Sequence, residues 1–392
     1  MNRFILDART ATAHFPGIGR TVRNLAPALA AQLAPDEALI LLWNSRDPSA
    51  WNPTPLAGPQ VTPIPAPVSP FALGQQWTLP RLLRQAARGQ ADSRRLQSAP
   101  RSVARSPALY HSPYYLMPYR PGLPTVVTLY DLIPLLFPET VSWRARLLFR
   151  LATRLALGAA RHVITISQAS RQDLLAHFPL RPQQVTAIPL APEAHFHPQP
   201  QAEVARVRQK LGLPEEHLLY LGINKPHKNL LTLVEAFAQA KAQGPTPPLT
   251  IAGAWDRRYP QARRRVQELG MEAGVRFLGP VAEADLPGLY SSCTAFLFPS
   301  RYEGFGLPVL EAMACGAPVI CAHTSSLPEV AGEAALFFHP DRPEELAAQL
   351  RRLLDDPALA RALSQRSLDQ AARFSWKETA RQTLTIYREL TG

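Results

Sequence analysis

Residues 295–316 read AFLFPSRYEGFGLPVLEAMACG: an apolar run, a glycine-bearing loop, and a second apolar run that opens with Pro308. A short apolar run before a loop is typical of a buried strand, and a proline near the start of the following run favours a helix start. The segment therefore predicts a strand–loop–helix unit. The first-turn N–H groups of such a helix point outward and can bind an anion.

The same alternation of strand-like and helix-like segments continues in both directions. It predicts parallel sheets with crossover helices, and at 392 residues it predicts two domains. We therefore expect an α/β protein of two Rossmann-like, doubly wound domains facing a cleft. The predicted helices are 21–33, with Pro27 as a kink or a later start, then 142–158, 229–243 and 259–269. The predicted strands are RFILDA (3–8), ALILLWN (38–44), 61–65, 108–112, 125–131, 162–167, 217–222, 249–253, 275–279, 295–300 and 318–323.

Domain boundaries follow from composition. Residues 191–201, APEAHFHPQPQ, hold three prolines and no apolar period, which indicates a linker. The Arg-rich stretch 86–107 predicts a mobile surface insertion. We expect a first domain over 1–190, a second over 191–372, and a terminal helix over 373–392 that returns to pack on the first domain.

The net charge of +12 lies in one half of the chain. Residues 1–190 hold 20 Arg, no Lys and 8 acidic residues, whereas the rest holds 22 basic and 22 acidic residues. A basic nucleic-acid-binding protein is therefore one alternative function. The arginines lack interleaved aromatic residues, so we expect no nucleic-acid partner.

Composition also limits location and cofactors. No apolar run approaches the ~20 residues that span a bilayer, and the N-terminus has no pattern of a secretory leader. The three cysteines lack metal-ligand spacing, and no Asp-x-Asp pair occurs, so we expect a cytoplasmic protein without a cofactor or metal.

The glycine loop carries candidate ligands for a phosphorylated sugar. Glu303 stands before the loop and Glu311 is expected in the first turn of the helix, so Glu303 could bind sugar hydroxyls and Glu311 a ribose. The amides of the loop between them would bind a diphosphate; its residues are Gly304, Phe305, Gly306 and Leu307. The alternative is that Glu311 only complements the helix dipole and Glu303 is solvated.

This loop resembles the motif of Glu, seven residues and Glu in the family-4 retaining glycosyltransferases of GT-B fold. Further segments resemble that family in order and spacing, over nearly the whole chain outside 86–107. They are HFPGIGRTVRNL (14–25), VVTLYDLIP (126–134), VITISQASRQDL (163–174), YLGINKPHKNLLTLVEAF (220–237), FLGPVAEADLPGLY (277–290) and FSWKETA (374–380).

The resemblance implies roles for individual residues. Lys228 matches the lysine that binds the diphosphate, and Lys225 and Arg301 are candidate helpers. Gly17 and Gly19 match a loop that approaches the donor, although a plain tight turn is an alternative. Three residues after a strand would contact the base: Leu278, Gly279 and Pro280.

One departure concerns the reaction centre. Where the family has a histidine before an acidic residue at a strand end, this chain has Tyr130 and Asp131. Asp131 remains a candidate, and His111, at another predicted strand end, is a stand-in.

The resemblance implies transfer of a hexose with retention, without a metal, from a nucleotide-sugar donor to a glycan or lipid-linked acceptor. Mannose from GDP-mannose is the leading donor, and synthesis of a surface polysaccharide or glycolipid is the expected setting. A sugar-nucleotide epimerase or phosphorylase of the same fold is a second alternative.

The basic first half predicts contact with an anionic membrane at the inner face of the plasma membrane. The candidate surface is a predicted helix at 77–88, with its leucines and Trp77 towards the lipid and its arginines among the headgroups. Those arginines are Arg81, Arg84 and Arg88, followed by Arg94, Arg95, Arg101 and Arg105.

Overall fold

The computed structural model describes residues 1–89 and 107–392 and divides the chain into two compact units. The first unit comprises Met1–Leu135, Trp143–Leu190 and Trp376–Gly392, and the second comprises Leu136–Ser142 and Ala191–Ser375. Of the predicted insertion at 86–107, residues 90–106 lie outside the described residues.

The predicted boundaries placed residues 136–142 in the first domain, but in the structure they belong to the second unit. They belong to the second because Phe137 is an apolar anchor there. Its ring centroid lies 5.7 Å from that of His227 and 5.8 Å from that of Tyr302. No sequence period marks this excursion of the chain.

Within the described residues, the first unit builds a sheet of seven parallel strands: β1 Asn2–Asp7, β2 Glu37–Trp43, β3 Val61–Pro65, β4 Ala108–Ser112, β5 Thr125–Leu129, β6 His162–Thr165 and β7 Val185–Ala187. Their spatial order is β3-β2-β1-β4-β5-β6-β7. The order reverses between β1 and β4, which is the switch point where doubly wound sheets bind ligands.

The helices that cover this sheet are α1 Pro16–Ala30, α2 Gln75–Ala87, α3 Ile133–Leu136, α4 Trp143–Ala159 and α5 Gln168–His177. Helix α1 starts five residues before the predicted Thr21, with Pro16 as its first residue, and it continues through Pro27. A proline in the first turn needs no N–H partner there, so it can open a helix that then runs through two glycines.

The second unit builds a six-stranded parallel sheet within the described residues: β8 Leu218–Leu221, β9 Leu249–Ala252, β10 Val275–Gly279, β11 Ala295–Phe298, β12 Val319–Ala322 and β13 Ala335–Phe338. Its helices are α6 Gln201–Leu211, α7 Leu230–Gln243, α8 Gln261–Glu268, α9 Leu286–Ser292, α10 Leu307–Ala314, α11 Leu327–Ala331, α12 Pro343–Asp355 and α13 Pro357–Ala371. The order β10-β9-β8-β11-β12-β13 reverses between β8 and β11. The loops after these two strands therefore face one crevice of the second unit.

The last helix, α14 Trp376–Thr391, belongs to the core of the first unit. Ala380, Leu384 and Tyr387 are buried against strand β1 and helix α1, and Trp376 and Leu390 pack at the edges of the same cluster. The two sheets confirm the prediction of two Rossmann-like α/β domains. No helix among the described residues is long and apolar enough to cross a membrane.

Candidate active site

Lys228 and Glu303 meet at the switch point of the second unit. The Lys228 Nζ donates to both carboxylate oxygens of Glu303, at 2.6 and 2.9 Å, and lies 5.5 Å from the ring centroid of Phe298. The side chains of Lys228 and Glu303 are only 15% and 9% exposed. The structure thus brings together a cation and a carboxylate that the sequence had placed on different segments.

Lys228 ends a one-turn 3₁₀ helix, Pro226–Lys228, that follows β8. The next residue, Asn229, has a φ of 58°, a left-handed conformation that asparagine tolerates better than most side chains. Its Nδ2 donates to the carbonyls of Pro299 (3.1 Å) and Pro340 (2.7 Å). Asn229 therefore ties the lysine turn to the end of β11, a role that sequence reasoning missed.

Two serines after β12 position Glu303. The backbone N–H of Glu303 donates to Ser325 Oγ (3.0 Å), while the Ser326 hydroxyl donates to the carbonyls of Glu303 (2.9 Å) and Phe305 (2.8 Å). Ser326 is fully buried. The loop between β11 and α10 is therefore held from a neighbouring strand end, and no spacing in the sequence could have indicated these serines.

Helix α10 begins at Leu307, directly after Gly306. Gly306 has a φ of 106°, a conformation that favours glycine, and a Cβ there would also approach Leu327 Cδ2 to 2.8 Å. Within the first turn, Pro308 has no N–H, and the amides of Val309 and Leu310 donate to the Gly306 carbonyl at 3.0 and 3.2 Å. Gly304, Phe305, Gly306 and Leu307 thus form the loop that leads into α10, and their binding of an anion stays a prediction.

Glu311 is the fifth residue of α10, so it lies in the second turn and not in the first turn as predicted. It is 2% exposed, and its Oε2 accepts a hydrogen bond from the Tyr290 hydroxyl at 3.1 Å. Tyr290 was not predicted as a site residue. The reading of Glu311 as a first-turn complement to the helix dipole does not fit this position, because the dipole effect is confined to the first turn.

The predicted base-contacting residues end strand β10. Leu278 and Gly279 are half-buried and Pro280 is exposed. Gly279 has a φ of 81° at a bulge between β10 and β9, and its carbonyl accepts from Gly253 N (2.8 Å). A glycine at the end of this strand lets the chain turn sharply away from the sheet.

Lys225 and Arg301, which the sequence predicts to help in binding phosphate, differ in exposure. Lys225 is half-buried at the start of the lysine turn. Arg301 is more exposed, and its Nε donates to Asp341 at 2.8 Å. His227, which was not predicted, is buried between them; burial and then the charges of Lys228 and Lys225 lower its pKa from 6.5 to about 3. Its ring is therefore neutral at physiological pH.

Gly17 and Gly19 lie within the first turn of α1, not in a turn that precedes the helix. Gly17 is exposed and has nothing within 4 Å of a built Cβ, whereas a Cβ on Gly19 would lie 3.3 Å from Thr10 O and Ala11 Cα. Gly19 is therefore needed for the packing of α1 on the loop after β1. Gly17 has no such structural need.

The two candidates for the missing family histidine sit differently. Asp131 is half-buried after β5, and its Oδ1 accepts from Ile133 N at 3.0 Å. His111 is 1% exposed in β4, with Nδ1 2.5 Å from Tyr387 Oη and Nε2 2.7 Å from Thr128 Oγ1. Both ring nitrogens of His111 thus have partners inside the first unit, and the geometry favours a structural role for it.

An aromatic cluster that was not predicted lies at the switch point of the first unit. The ring of Phe15 stacks on Phe71 at 5.3 Å and meets the edge of Tyr114 at 4.9 Å, and the Tyr114 hydroxyl donates to the Tyr115 hydroxyl at 3.0 Å. Burial raises the pKa of both tyrosines, and the negative charge of Asp131 adds a smaller effect in the same direction. The tyrosine-rich run 110–119 was the signal in the sequence.

The predicted membrane contact on α2 needs correction. Leu79 and Leu83 are fully buried because they pack on the sheet of the first unit, so the apolar side of this helix does not face the surface. Trp77 is 65% exposed, and all three arginines of the helix and its end are exposed: Arg81, Arg84 and Arg88. The remaining candidates, Arg94, Arg95, Arg101 and Arg105, lie outside the described residues.

One group of potential metal ligands occurs among the described residues of the second unit. The ligand atoms of Glu193, His195 and Glu283 all lie within 4.8 Å of one another. Glu193 and His195 belong to one segment and Glu283 to a distant one, and the group does not include the glycine loop or Lys228.

Comparison with known proteins identifies the family. Residues 203–370 match the family model of glycosyl transferases group 1, and residues 16–191 match that of glycosyltransferase family 4. The chain is 32% identical to the O-antigen chain mannosyltransferase B of Escherichia coli over 287 residues, covering 72% of this chain and 74% of that protein. It is 30% identical to the MMP alpha-(1->4)-mannosyltransferase of Mycolicibacterium hassiacum, covering 58% of this chain and 54% of the other.

Solved structures agree on the fold. HepE of Anabaena in complex with UDP and glucose superposes with a TM-score of 0.73 at 20% identity, over the whole of both chains. Sucrose-phosphate synthase of Thermosynechococcus elongatus superposes with a TM-score of 0.72 at 25% identity, over 100% of this chain and 99% of the other. With both halves matched in order, the chain belongs to the family-4, group 1 glycosyltransferases of GT-B fold.

Proposed function

We propose that this glycosyltransferase is a retaining hexosyltransferase that uses a nucleoside diphosphate sugar, with GDP-mannose as its leading donor. The observation that carries the proposal is the Lys228–Glu303 pair beside the start of α10, at the switch point of the second unit. The mannosyltransferases among its relatives support mannose. Because HepE binds UDP and glucose, UDP-sugars are also candidate donors to be tested.

The donor is assigned to the second unit residue by residue. The diphosphate binds the loop amides from Gly304 to Leu307 and the Lys228 ammonium, which exchanges part of its contact with Glu303 for phosphate oxygens. Glu303 then accepts hydrogen bonds from sugar hydroxyls. Glu311, which accepts a hydrogen bond from Tyr290, binds the ribose. The base lies against Leu278, Gly279 and Pro280.

The transfer step needs charge stabilisation on the leaving group. The bond between the anomeric carbon and the phosphate oxygen breaks, and the acceptor oxygen bonds to the same face of the sugar. The departing phosphate oxygen takes the proton of the acceptor hydroxyl. Lys228 and the amides of the loop before α10 stabilise the growing negative charge, without a divalent ion.

The acceptor is assigned to the first unit. The aromatic cluster of Phe15, Phe71, Tyr114 and Tyr115 offers flat apolar surfaces with hydroxyl groups, which suits a sugar ring of a glycan or lipid-linked acceptor. Asp131 lies close enough to affect the titration of both tyrosines. The setting that we propose is synthesis of a surface polysaccharide or glycolipid on the cytoplasmic side of the membrane.

Proton NMR of the first product tests the stereochemistry. We expect an α-linked product from an α-linked donor such as GDP-mannose. A β-linked product would contradict retention. Conversion of the donor without any acceptor, into an epimer or a sugar phosphate, would instead indicate the epimerase or phosphorylase alternative.

A further inference from the structure

Helix α4 of the first unit presents an apolar surface to solvent. Of ten exposed large apolar side chains in the described part of the chain, five lie on this helix: Trp143, Leu147, Leu148, Leu151 and Leu155. Each is at least 50% exposed, and Trp143 is 71% exposed. Single exposed leucines are ordinary, but a group on one element marks an interaction surface.

The exposed apolar side chains of α4 are not required for folding of the first unit. The opposite side of α4 already packs into the unit through residues that are buried: Phe149, Ala152, Thr153, Ala156 and Leu157. The helix is therefore apolar on two sides. Packing in the core of the first unit explains only the buried side.

Arginines run parallel to the leucines. Arg146, Arg150 and Arg154 each precede a leucine by one residue and repeat at steps of four, so they form a row beside Leu147, Leu151 and Leu155. All three arginines are exposed, and none forms an ion pair with a residue that the structure describes. A row of leucines beside a row of arginines is typical of a helix that lies in a membrane interface.

A cavity at the start of the helix combines both kinds of side chain. It has a volume of about 340 Å³ and is lined by Leu135, Trp143, Arg146, Leu147, Arg150 and His177. Two guanidinium groups beside apolar walls suit a phosphate that is joined to a hydrocarbon chain.

Charge indicates what covers this surface. Residues 140–172 contain six arginines and no acidic residue. The stretch 90–106, outside the described residues, holds four arginines and one aspartate, so its charge has the same sign and does not complement this surface. A partner must therefore be anionic and must also accept leucines and a tryptophan.

We propose that the outer face of α4 binds an anionic phospholipid bilayer, with the leucines and Trp143 in the headgroup region and the arginine row on lipid phosphates. This surface replaces α2, whose leucines are in the core, as the membrane contact. Binding through α4 does not depend on which sugar the enzyme transfers.

Flotation of the full chain with vesicles tests the proposal. The vesicles contain phosphatidylethanolamine with or without phosphatidylglycerol, and the variant is R146Q/R150Q/R154Q. Three arginines at an anionic surface together change partitioning about 100-fold, so we expect a loss of about that size on the anionic vesicles. The matched control, R81Q/R84Q/R88Q, removes the same charge from α2 and should keep most of the binding.

A second variant tests the apolar row. L147S/L151S/L155S changes only exposed side chains, so the fold should persist by circular dichroism while vesicle binding falls. Equal binding to both vesicle types, or a larger loss in the α2 variant, would overturn the proposal. So would a dimer in sedimentation without lipid that the serine variant converts to a monomer, because the face would then bind a second copy. These readouts measure binding, so their failure leaves the proposed transferase activity standing.

Discussion

Both oxygens of Glu303 accept hydrogen bonds from Lys228, and both side chains are mostly buried. Truncating one member of such a pair leaves the other charge poorly solvated, at a cost of about 3 kcal/mol. Conservative substitutions therefore separate the chemical role of each residue from its role in stability, and a truncation such as K228A must be accompanied by a check that the fold is intact.

Glu303→Gln and Glu311→Gln should separate the sugar from the ribose. Gln keeps the size of the side chain but weakens its hydrogen bonds to hydroxyl groups. We expect E303Q to lower mainly kcat, since its contacts lie near the reacting carbon, and E311Q to raise mainly the donor KM.

Tyr290→Phe serves as the control for the second variant, because it removes the hydroxyl that donates to Glu311. It should shift the donor KM in the same direction as E311Q and leave kcat nearly unchanged. The reverse pattern, with E311Q lowering kcat and E303Q raising KM, would mean that the donor binds in the opposite direction.

Gly17→Ala and Gly19→Ala make a matched pair on one helix turn. Ala at 17 meets open space and favours the helix by up to about 1 kcal/mol, so G17A should be at least as stable as the parent. Ala at 19 would press on the backbone of residues 10–12 and should lower the unfolding temperature.

If a substrate approaches the start of α1, G17A should lose activity although it is stable. Steady-state kinetics beside thermal unfolding measure both effects. Full activity in G17A would remove Gly17 from the binding site.

Strand β4 and helix α14 are joined through His111. Burial lowers the pKa of this histidine from 6.5 to about 3, against the opposing effect of Asp7, so the ring is neutral in the folded chain. The unfolded chain binds the proton below about pH 6.5, and the free energy of unfolding therefore falls as the pH drops from about 6.5 towards 3, by up to about 1.4 kcal/mol per pH unit for this one group.

Replacing His111 with Gln keeps a polar group between Tyr387 and Thr128 but removes the titration. We expect H111Q to show a shallower loss of stability between about pH 6.5 and 4 in chemical denaturation. His217 and His227, whose pKa values are also lowered by burial, to about 4 and about 3, maintain part of the slope. An unchanged slope in H111Q would mean that this histidine does not stay neutral.

Elements were predicted where the side-chain pattern alone determines them. The runs at 61–65, 108–112 and 275–279 are strands with the predicted bounds. The run at 108–112 is buried at every position, and a strand buried on both faces in a parallel sheet is apolar along its length. The other two are edge strands with partly exposed residues. The start of α1 was missed since two glycines argue against a helix, whereas Pro16 and tertiary packing maintain one.

The site was predicted in part. The glycine loop, Lys228 and Glu303 come from motifs with local spacing. Asn229, Ser326 and Tyr290 act through contacts with distant segments, which no local pattern encodes. The predicted orientation of α2 was wrong for a related reason. Its leucines could face either a membrane or the core, and only the position of the sheet determines that they face the core.

At the scale of the whole molecule, the proposed mechanism needs no divalent ion. Transfer should therefore persist in excess chelator, measured with purified enzyme and labelled donor. Activity that chelator abolishes and Mn²⁺ restores would contradict this expectation. If H195A reproduced that loss, the metal would be assigned to the group of Glu193, His195 and Glu283.

The central claim is that the second unit binds a nucleotide sugar and stabilises its diphosphate as it leaves, through Lys228. Release of nucleoside diphosphate from a panel of GDP- and UDP-sugars, with acceptor extract, measures it in three proteins: the parent, K228A and K210A. Lys210 forms an ion pair of the same length with the buried Asp285, which keeps a second ion pair with Arg206, so K210A controls for the removal of a lysine that pairs with a buried carboxylate in this unit.

We expect release from GDP-mannose or another member of the panel by the parent, nearly the same rate in K210A, and a fall of about 10²–10³-fold in K228A with its fold intact. No release from any sugar nucleotide, or a K228A rate within about threefold of the parent, would contradict the account.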